Sequence, residues 1–150
     1  MICPDDAKAF LKKLDQNLGN ADLASFAMGL IAARFKHYHW VGIYWLKQGG
    51  LVLGPYIGAA TEHTHIEIGQ GVCGTAVAEG RNQVVRDVRQ IANYLACSLK
   101  TRAEIVVLIC RAGDVIGQID ADSDEVGSFD SSDEELLTAV AERLARQTQD

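Results

Sequence analysis

Two segments of this chain each join two stretches of aromatic and β-branched residues through a short turn that contains glycine. The first is "HWVGIYWLKQGGLVLGPYIG", which turns at Gln48-Gly49-Gly50. The second is "AEIVVLICRAGDVIGQIDADS", which turns at Ala112-Gly113-Asp114. Both patterns are typical of β-hairpins. Because hairpins join antiparallel neighbours, the two segments predict an antiparallel sheet.

Amphipathic helices are predicted at both ends of the chain. Apolar residues recur at helical spacing over 10–18, over 23–31 and again over 137–144. Ser131 and Glu134 fit a capping box at the start of the last helix. Helices that begin and end the chain are able to share one face of the sheet, so the pattern predicts an α+β fold.

Length, charge and cysteine content limit the number of domains and the kinds of partner that the chain can have. A chain of 150 residues is expected to form one domain over 1–150. The formal charge of −6, with scattered basic residues, argues against a nucleic-acid partner. The sequence has neither an apolar run long enough to cross a membrane nor a signal peptide, so we expect a cytoplasmic protein without a membrane partner. Its four cysteines are too few and too spread for a disulfide scaffold.

Two cysteines lie in the long irregular middle of the chain, over about 58–103, where an ordered crossover often builds a site. Lys100 and Arg102 follow Cys97, and positive charge favours a reactive thiolate. Cys73 begins a predicted helix, whose N-terminus also favours a thiolate. Each cysteine is equally open to a structural interpretation, as a small buried hydrophobe or as part of a tight turn.

Three carboxylates are predicted to meet near one end of the second hairpin. Asp120 and Asp122 are two residues apart in a strand and therefore share a face, and Glu104 begins the partner strand. Grouped carboxylates suit a site that binds an ammonium group and donates a proton, because mutual repulsion makes one of them easier to protonate. The alternative is a set of solvated acids at an exposed strand end.

Aromatic residues and histidines complete the candidate set. Trp40 and Tyr44 are four apart in a strand, so they either wall an apolar pocket or pack in the core. The histidines form two His-x-His pairs, which together with a cysteine would offer zinc ligands. Since the sequence has no CxxC and no HExxH motif, we expect no metal centre. The paired histidines are His37, His39, His63 and His65.

Five stretches of the chain, in unbroken order over roughly 36–146, resemble the free methionine-(R)-sulfoxide reductases, which are stand-alone GAF-domain enzymes. They are "HWVGIYWL", "LVLGPYIG", "IEIGQGVCGTAVAEGRNQVVRDV", "ACSLKTRAEIVV" and "VIGQIDADSDEVGSFDSSDEELL". The combination is specific, because the GVCGTA turn is followed by the dipeptide Ala96-Cys97, seven residues before Glu104, and then by a D-x-D-S strand. The resemblance implies a GAF fold, with a six-stranded antiparallel sheet, helices on one face and a loop-enclosed pocket on the other.

The resemblance also implies a reaction and a set of roles. Cys97 matches the catalytic cysteine and Cys73 a resolving cysteine. The pocket acids match Glu104, Asp120 and Asp122, and the pocket aromatics match Trp40 and Tyr44. The substrate would be free methionine-(R)-sulfoxide, reduced through a sulfenic acid and an intramolecular disulfide. No cofactor is implied beyond an external thioredoxin and NADPH system, and relatives often form homodimers.

One position departs from the family. Many members carry a further cysteine ten residues before the GVCG cysteine, where this chain has His63. If Cys73 resolves alone, activity survives this change; if the missing thiol is the main resolving group, turnover slows or Cys97 needs an external thiol. The departure therefore concerns how the enzyme is recycled more than the sulfoxide chemistry. The competing interpretation is a non-catalytic GAF domain that binds a small ligand and signals. Such a module would not require both cysteines and all three acids.

Overall fold

A computed structural model describes residues 1–92, 94–95 and 99–147 of the chain. Four α-helices, one short 3₁₀-helix at Val88–Gln90 and six strands are found in these ranges. The helices are α1 Pro4–Asp15, α2 Leu23–Arg34, α3 Gly71–Glu79 and α4 Ser131–Gln147. The strands are β1 Trp40–Lys47, β2 Gly50–Ile57, β3 His65–Glu67, β4 Gln83–Val85, β5 Ala103–Arg111 and β6 Asp114–Ser123. None of the described helices has the length and apolarity needed to cross a bilayer.

The six strands form one sheet in the order β3-β2-β1-β6-β5-β4, and every neighbouring pair is antiparallel. This arrangement confirms the predicted antiparallel α+β fold. The hairpin β1–β2 and the hairpin β5–β6 lie side by side, so that β1 pairs with β6 at the centre of the sheet. The middle of the chain crosses over to add β3 at one edge and β4 at the other.

Both hairpins turn through two residues that have positive φ angles. The values are 52° and 79° at Gln48 and Gly49, and 54° and 85° at Ala112 and Gly113. Turns of this kind match the right-handed twist of the flanking strands, which is why glycine stands at the second position of each. Each turn is one residue shorter than the sequence suggested, because Gly50 and Asp114 already belong to strands.

The main hydrophobic core lies between one face of the sheet and the helices α1, α2 and α4. Alternate residues of β5, such as Ile105, Val107 and Ile109, point into it together with Ile119 of β6. Helix α4 contributes a buried stripe that includes Leu137. The predicted packing of the terminal helices against one face is therefore confirmed.

The opposite face of the sheet carries α3 and a second, smaller hydrophobic cluster. Val106 of β5 and Tyr44 of β1 belong to it, together with Ile66 of β3 and Ala76 of α3. Polar side chains interrupt this face, whereas the main core is built from apolar ones. The sheet thus separates a face that provides stability from a face that can hold a polar site.

Helix α4 begins with a capping box one residue earlier than predicted. The side chain of Asp130 accepts a hydrogen bond from Ser132 N at 2.9 Å, and Asp133 Oδ2 accepts one from Asp130 N at 3.0 Å. Asp130 and Asp133 therefore play the parts assigned to Ser131 and Glu134 from sequence. That prediction was wrong because an aspartate caps as well as a serine does, and four polar residues in succession hide the first helical turn.

The other oxygen of Asp133 ties α4 to the segment before β1. Asp133 is fully buried, and its Oδ1 accepts a hydrogen bond from the Tyr38 hydroxyl at 2.8 Å. The His37 Nε2 atom lies 2.7 Å from the same oxygen. Burial, and then the charge of Asp133, raise the pKa of Tyr38 well above its usual value. One carboxylate thus serves a helix cap and a tertiary contact at once.

We expect Asp133→Ala to lower the free energy of unfolding by about 2–4 kcal/mol, because it leaves buried hydrogen-bonding groups without a partner. Urea denaturation measures this change. The control is Glu135→Ala, since Glu135 is exposed in the same helical turn and should change stability by less than about 0.5 kcal/mol. Equal effects of the two substitutions would contradict the assigned role of Asp133.

Candidate active site

The carboxylates predicted to converge do so on the polar face of three neighbouring strands. Asp122 of β6 lies directly between Trp40 of β1 and Glu104 of β5. Two residues along, Asp120 lies between Gly42 and Val106. The antiparallel register therefore places all three acids side by side, as the spacing in the sequence predicted.

These acids are buried, so the alternative of solvated acids at an exposed strand end is wrong. Glu104 is 4% exposed, Asp120 1% and Asp122 2%. Among the described residues, no hydrogen-bond partner reaches either carboxylate oxygen of Asp120 or the Oδ1 atom of Asp122. A buried acceptor without a donor is unfavourable, which makes the face ready to receive a group that carries hydrogen-bond donors or positive charge.

The same burial controls the protonation of the two aspartates. It raises the pKa of Asp120 above its ordinary value. It raises the pKa of Asp122 still more clearly, with a further contribution from the charge of Asp120. Removal of a carboxylate from water and its closeness to a like charge both favour the neutral acid. The pair is therefore suited to hold and donate a proton.

Cys73 reaches this face from the first turn of α3. Gly71 enters the helix with a φ of 62°, and a Cβ atom on Gly74 would lie 2.4 Å from the Glu67 carbonyl oxygen. The glycines of "GVCG" thus allow the helix to pack closely on the preceding loop. The thiol is 5% exposed, and its Sγ donates a hydrogen bond of 3.8 Å to Glu104 Oε2.

The environment of Cys73 keeps the thiol protonated in the resting structure. Burial raises the pKa of Cys73 well above its usual value, and the charges of Asp120, Glu104 and Asp122 raise it further. Burial and these charges oppose the effect of the helix N-terminus, which favours a thiolate. A helix dipole is worth about 0.3–1 kcal/mol at an exposed site, which is small against complete burial beside carboxylates.

Cys97, the other predicted catalytic residue, lies outside the described residues. Its pairing with Cys73 stays a prediction. The other two cysteines, Cys3 and Cys110, are exposed and stand apart from the carboxylates in the fold. Cys3 precedes α1, and Cys110 lies near the opposite end of β5 from Glu104.

Trp40 and Tyr44 both point to the polar face and are buried in the smaller cluster beside the acids. Their ring centroids are 6.5 Å apart, and Tyr56 of β2 stacks on Trp40 at 5.3 Å. The Trp40 Nε1 atom donates to the Ala59 carbonyl at 3.0 Å, and the Tyr44 hydroxyl donates to the His63 carbonyl at 2.7 Å. The two residues thus combine both expectations, since they pack tightly and also border the candidate site.

A small cavity lies between α3 and the sheet. Its volume is about 10 Å³, which is close to the space that one water molecule needs. Trp40, Tyr44 and Asp122 lie beside this cavity and not on its wall. The described residues that line it are Ile66, Gln70, Gly71, Val72, Cys73, Leu95, Glu104 and Asp120.

Sequence reasoning missed two residues of this face. Gln118 is fully buried, and its Nε2 donates a hydrogen bond of 3.0 Å to the Cys73 carbonyl oxygen. It stands two residues before Asp120, so the alternation that identified the aspartates also pointed to it.

Tyr56 was missed because it meets Trp40 only through the pairing of β1 with β2, opposite Gly42. A Cβ on Gly42 would lie 2.6 Å from Tyr56 Cβ, so this glycine makes room for the stacked rings.

The histidine pairs do not form part of a metal-binding group in the described part of the chain. There, the one group of His, Cys, Asp and Glu side chains close enough to share an ion is Cys73, Glu104 and Asp120. One ligand atom from each lies within 4.8 Å of the other two. The group contains a single cysteine, and its members are far apart in the sequence, so no short sequence motif identifies it.

Comparisons with known proteins place this geometry in a family. The pattern of the GAF domain matches residues 23–147. The free methionine-R-sulfoxide reductase of Escherichia coli is 35% identical over 117 residues, which cover 78% of this chain and 70% of the relative. The chain belongs to the free methionine-R-sulfoxide reductase family of GAF-domain proteins.

Other matches agree with that family. The GAF domain-containing protein A of Dictyostelium discoideum is 38% identical over 109 residues, covering 72% of this chain and 68% of the relative. The free methionine-R-sulfoxide reductase of Neisseria meningitidis, solved in complex with its substrate, is 30% identical. That structure superposes with a TM-score of 0.90 over 98% of this chain and 92% of its own. The predicted GAF fold is confirmed.

We expect Asp122→Asn to raise the free energy of unfolding at pH 7. The folded-state pKa of Asp122 lies above its unfolded value, so the folded protein holds a proton that the unfolded chain loses. Stability contributed by this group is therefore lost as the pH rises from the unfolded pKa through the folded one. The neutral amide removes that loss and flattens the dependence on pH.

Chemical denaturation between pH 4 and pH 8 measures this effect. The matched control is Asp114→Asn, because Asp114 is exposed at the other end of the same strand and should leave the profile unchanged. A less stable Asp122→Asn protein at pH 7 would contradict the account, since it would mean that the ionised carboxylate is stabilised in the fold.

Proposed function

We propose that this protein reduces free methionine-(R)-sulfoxide to methionine, and that the face shared by Glu104, Asp120 and Asp122 binds the substrate. The observation that carries the proposal is a buried thiol, Cys73, held against buried carboxylates on the polar face of a GAF sheet. Relatives named free methionine-R-sulfoxide reductase support the substrate class. A domain that only binds a ligand has no need of a thiol at this position.

The acids are suited to two groups of the substrate, its ammonium group and its sulfoxide oxygen. A free amino acid carries an ammonium group, and an ionised carboxylate is its natural partner. The sulfoxide oxygen must receive a proton as it leaves sulfur, and a carboxyl group of raised pKa supplies one near neutral pH. Trp40 and Tyr44 belong to the aromatic cluster beside the acids and would border the methyl-thioether end once the site widens to admit the substrate. A methionine sulfoxide inside a peptide has no ammonium group and would be rejected.

In the first step, the thiolate of Cys97 attacks the sulfoxide sulfur. A pocket carboxylic acid protonates the sulfoxide oxygen, and the oxygen passes to the cysteine. Methionine leaves in reduced form, and Cys97 is oxidised to a sulfenic acid. The two electrons gained by the substrate come from the cysteine sulfur, so the step needs no metal or bound cofactor.

In the second step, Cys73 attacks the sulfenic acid, which gives a Cys73–Cys97 disulfide and releases water. The thiol must lose its proton as it attacks, and Glu104 Oε2 already accepts a hydrogen bond from it at 3.8 Å. Glu104 therefore serves as the base for this proton. An external dithiol of the thioredoxin type then reopens the disulfide by thiol exchange, with NADPH as the source of electrons.

The chain carries His63 where many relatives have a further cysteine. Its carbonyl oxygen accepts the hydrogen bond of Tyr44, so the position supports the aromatic wall. Cys73 then acts as the resolving cysteine without help from this segment. The homodimer implied by the resemblance stays a prediction.

The test is methionine release from L-methionine-(R)-sulfoxide by the purified protein with thioredoxin, thioredoxin reductase and NADPH. We expect the wild type to turn over and Cys97→Ser to release no methionine. Cys73→Ser should release about one equivalent and then stop unless a small thiol is added, because its sulfenic acid has no internal partner. Cys110→Ser is the matched control and should behave as the wild type.

Two outcomes would contradict the proposal. If the wild type releases no methionine even in a single turnover, the pocket belongs to a ligand-binding domain instead. If Cys73→Ser turns over with thioredoxin at the wild-type rate, Cys73 is not the resolving cysteine.

A further inference from the structure

The buried thiol and two of the buried acids form a ligand set that the proposed reaction does not use as such. Cys73 Sγ lies 3.8 Å from Glu104 Oε2, and an oxygen of Asp120 completes a triangle with no side longer than 4.8 Å. All three residues are buried. They come from α3, β5 and β6, so the fold alone brings them together.

The dimensions of this triangle are close to those of a zinc site. Zinc binds thiolate sulfur at about 2.3 Å and carboxylate oxygen at about 2.0–2.2 Å in tetrahedral geometry. Ligand atoms of one zinc ion therefore lie roughly 3.3–3.7 Å apart. The observed separations, 3.8 Å for Cys73 Sγ to Glu104 Oε2 and at most 4.8 Å for the others, require a contraction of up to roughly 1.5 Å, which is within the reach of side-chain rotation.

The burial of Asp120 and the size of the adjoining cavity both favour a small cationic occupant. Asp120 is 1% exposed, and its carboxylate oxygens have no well-formed hydrogen bond among the described residues; the polar side chains that interact with it there are Glu104 and Cys73 themselves. The cavity that Cys73, Glu104 and Asp120 help to line has room for about one water-sized particle. An apolar or anionic occupant would leave the buried carboxylate uncompensated, whereas a small cation would satisfy it.

The sulfur atom decides which cation fits best. Magnesium and calcium prefer oxygen ligands, whereas thiolate is a preferred ligand of zinc. Three protein ligands leave a fourth position for water, as in zinc sites that remain open. The expectation of no metal centre rested on missing motifs, and a set assembled from three separate elements falls outside that reasoning.

We propose that the reduced protein binds one zinc ion through Cys73 Sγ and the carboxylates of Glu104 and Asp120, and that this zinc excludes the amino-acid substrate. The Cys73 thiol releases its proton to solvent as the sulfur–zinc bond forms, and no electrons are transferred. The exclusion rests on the proposed function, because zinc and the substrate ammonium would need the same carboxylates. The zinc ion is an inhibitor of the site and not a cofactor of the reaction.

The test is a zinc titration of the reduced protein in competition with a chromophoric chelator, with a phosphine as reductant. We expect one zinc ion per chain in the wild type. Cys73→Ser and Asp120→Asn should each weaken zinc binding by at least about tenfold, because each removes one of the three side chains that would bind the ion directly. Cys110→Ser and His65→Ala are matched controls with wild-type affinity. Circular dichroism and unfolding curves check that each variant is folded.

Cadmium gives a second, spectroscopic readout. Thiolate–cadmium coordination produces an ultraviolet charge-transfer band, which should appear in the wild type and in Cys110→Ser and be missing from Cys73→Ser. Unchanged zinc affinity in Cys73→Ser, or the cadmium band persisting there, would overturn the assignment. So would a wild type that binds no zinc.

Competition with substrate separates this proposal from the proposed function. Free methionine-(R)-sulfoxide, added to Cys97→Ser so that no turnover occurs, should weaken the apparent zinc affinity in proportion to its concentration. Zinc bound at Cys73 in a protein that never releases methionine would uphold the metal site and refute the reductase. Turnover that zinc at saturating concentration leaves unchanged would uphold the reductase and refute the exclusion.

Discussion

The burial of three carboxylates side by side on one face of the sheet is the constraint on which the rest of the site depends. The register of β1, β6 and β5 fixes it, because Trp40, Asp122 and Glu104 stand in one row and Asp120 in the next. Such a face is costly to fold, since two of its acids have raised pKa values and at least three of their oxygens lack a donor within the described residues. A site that keeps this cost in the resting state gains binding energy for a cationic ligand.

The same burial explains the behaviour of the thiol. Burial, and then the charges of the neighbouring acids, raise the pKa of the Cys73 thiol, and Glu104 is placed to take its proton. A resolving cysteine has no use for a thiolate before a sulfenic acid exists, and a neutral thiol is less readily oxidised. In the proposed mechanism, the arrangement would protect Cys73 until Cys97 has reacted. It also leaves one sulfur and two carboxylates close enough to share a metal ion, which is the basis of the proposed inhibition by zinc.

The sequence predicted the sheet, the hairpins and the acid cluster because each depends on local alternation that antiparallel pairing carries into space. Asp120 and Asp122 could be placed on one face from their spacing alone. The contact of Cys73 with Glu104 could not be predicted from the sequence, because it depends on how α3 crosses the sheet. Tyr56 was hidden for the same reason, since it meets Trp40 only across β1 and β2. The raised pKa of Cys73 could not be anticipated, because it comes first from burial, which the sequence does not display.

The central claim is that buried acids recognise the free ammonium group of the substrate. The most direct measurement is the dissociation constant of Cys97→Ser for methionine-(R)-sulfoxide and for its N-acetyl derivative, by calorimetry. The account predicts that acetylation, which removes the positive charge and keeps the sulfoxide, weakens binding by about 100-fold. Equal affinities for the two compounds would contradict it, because the acids would then have no part in reading the amino group.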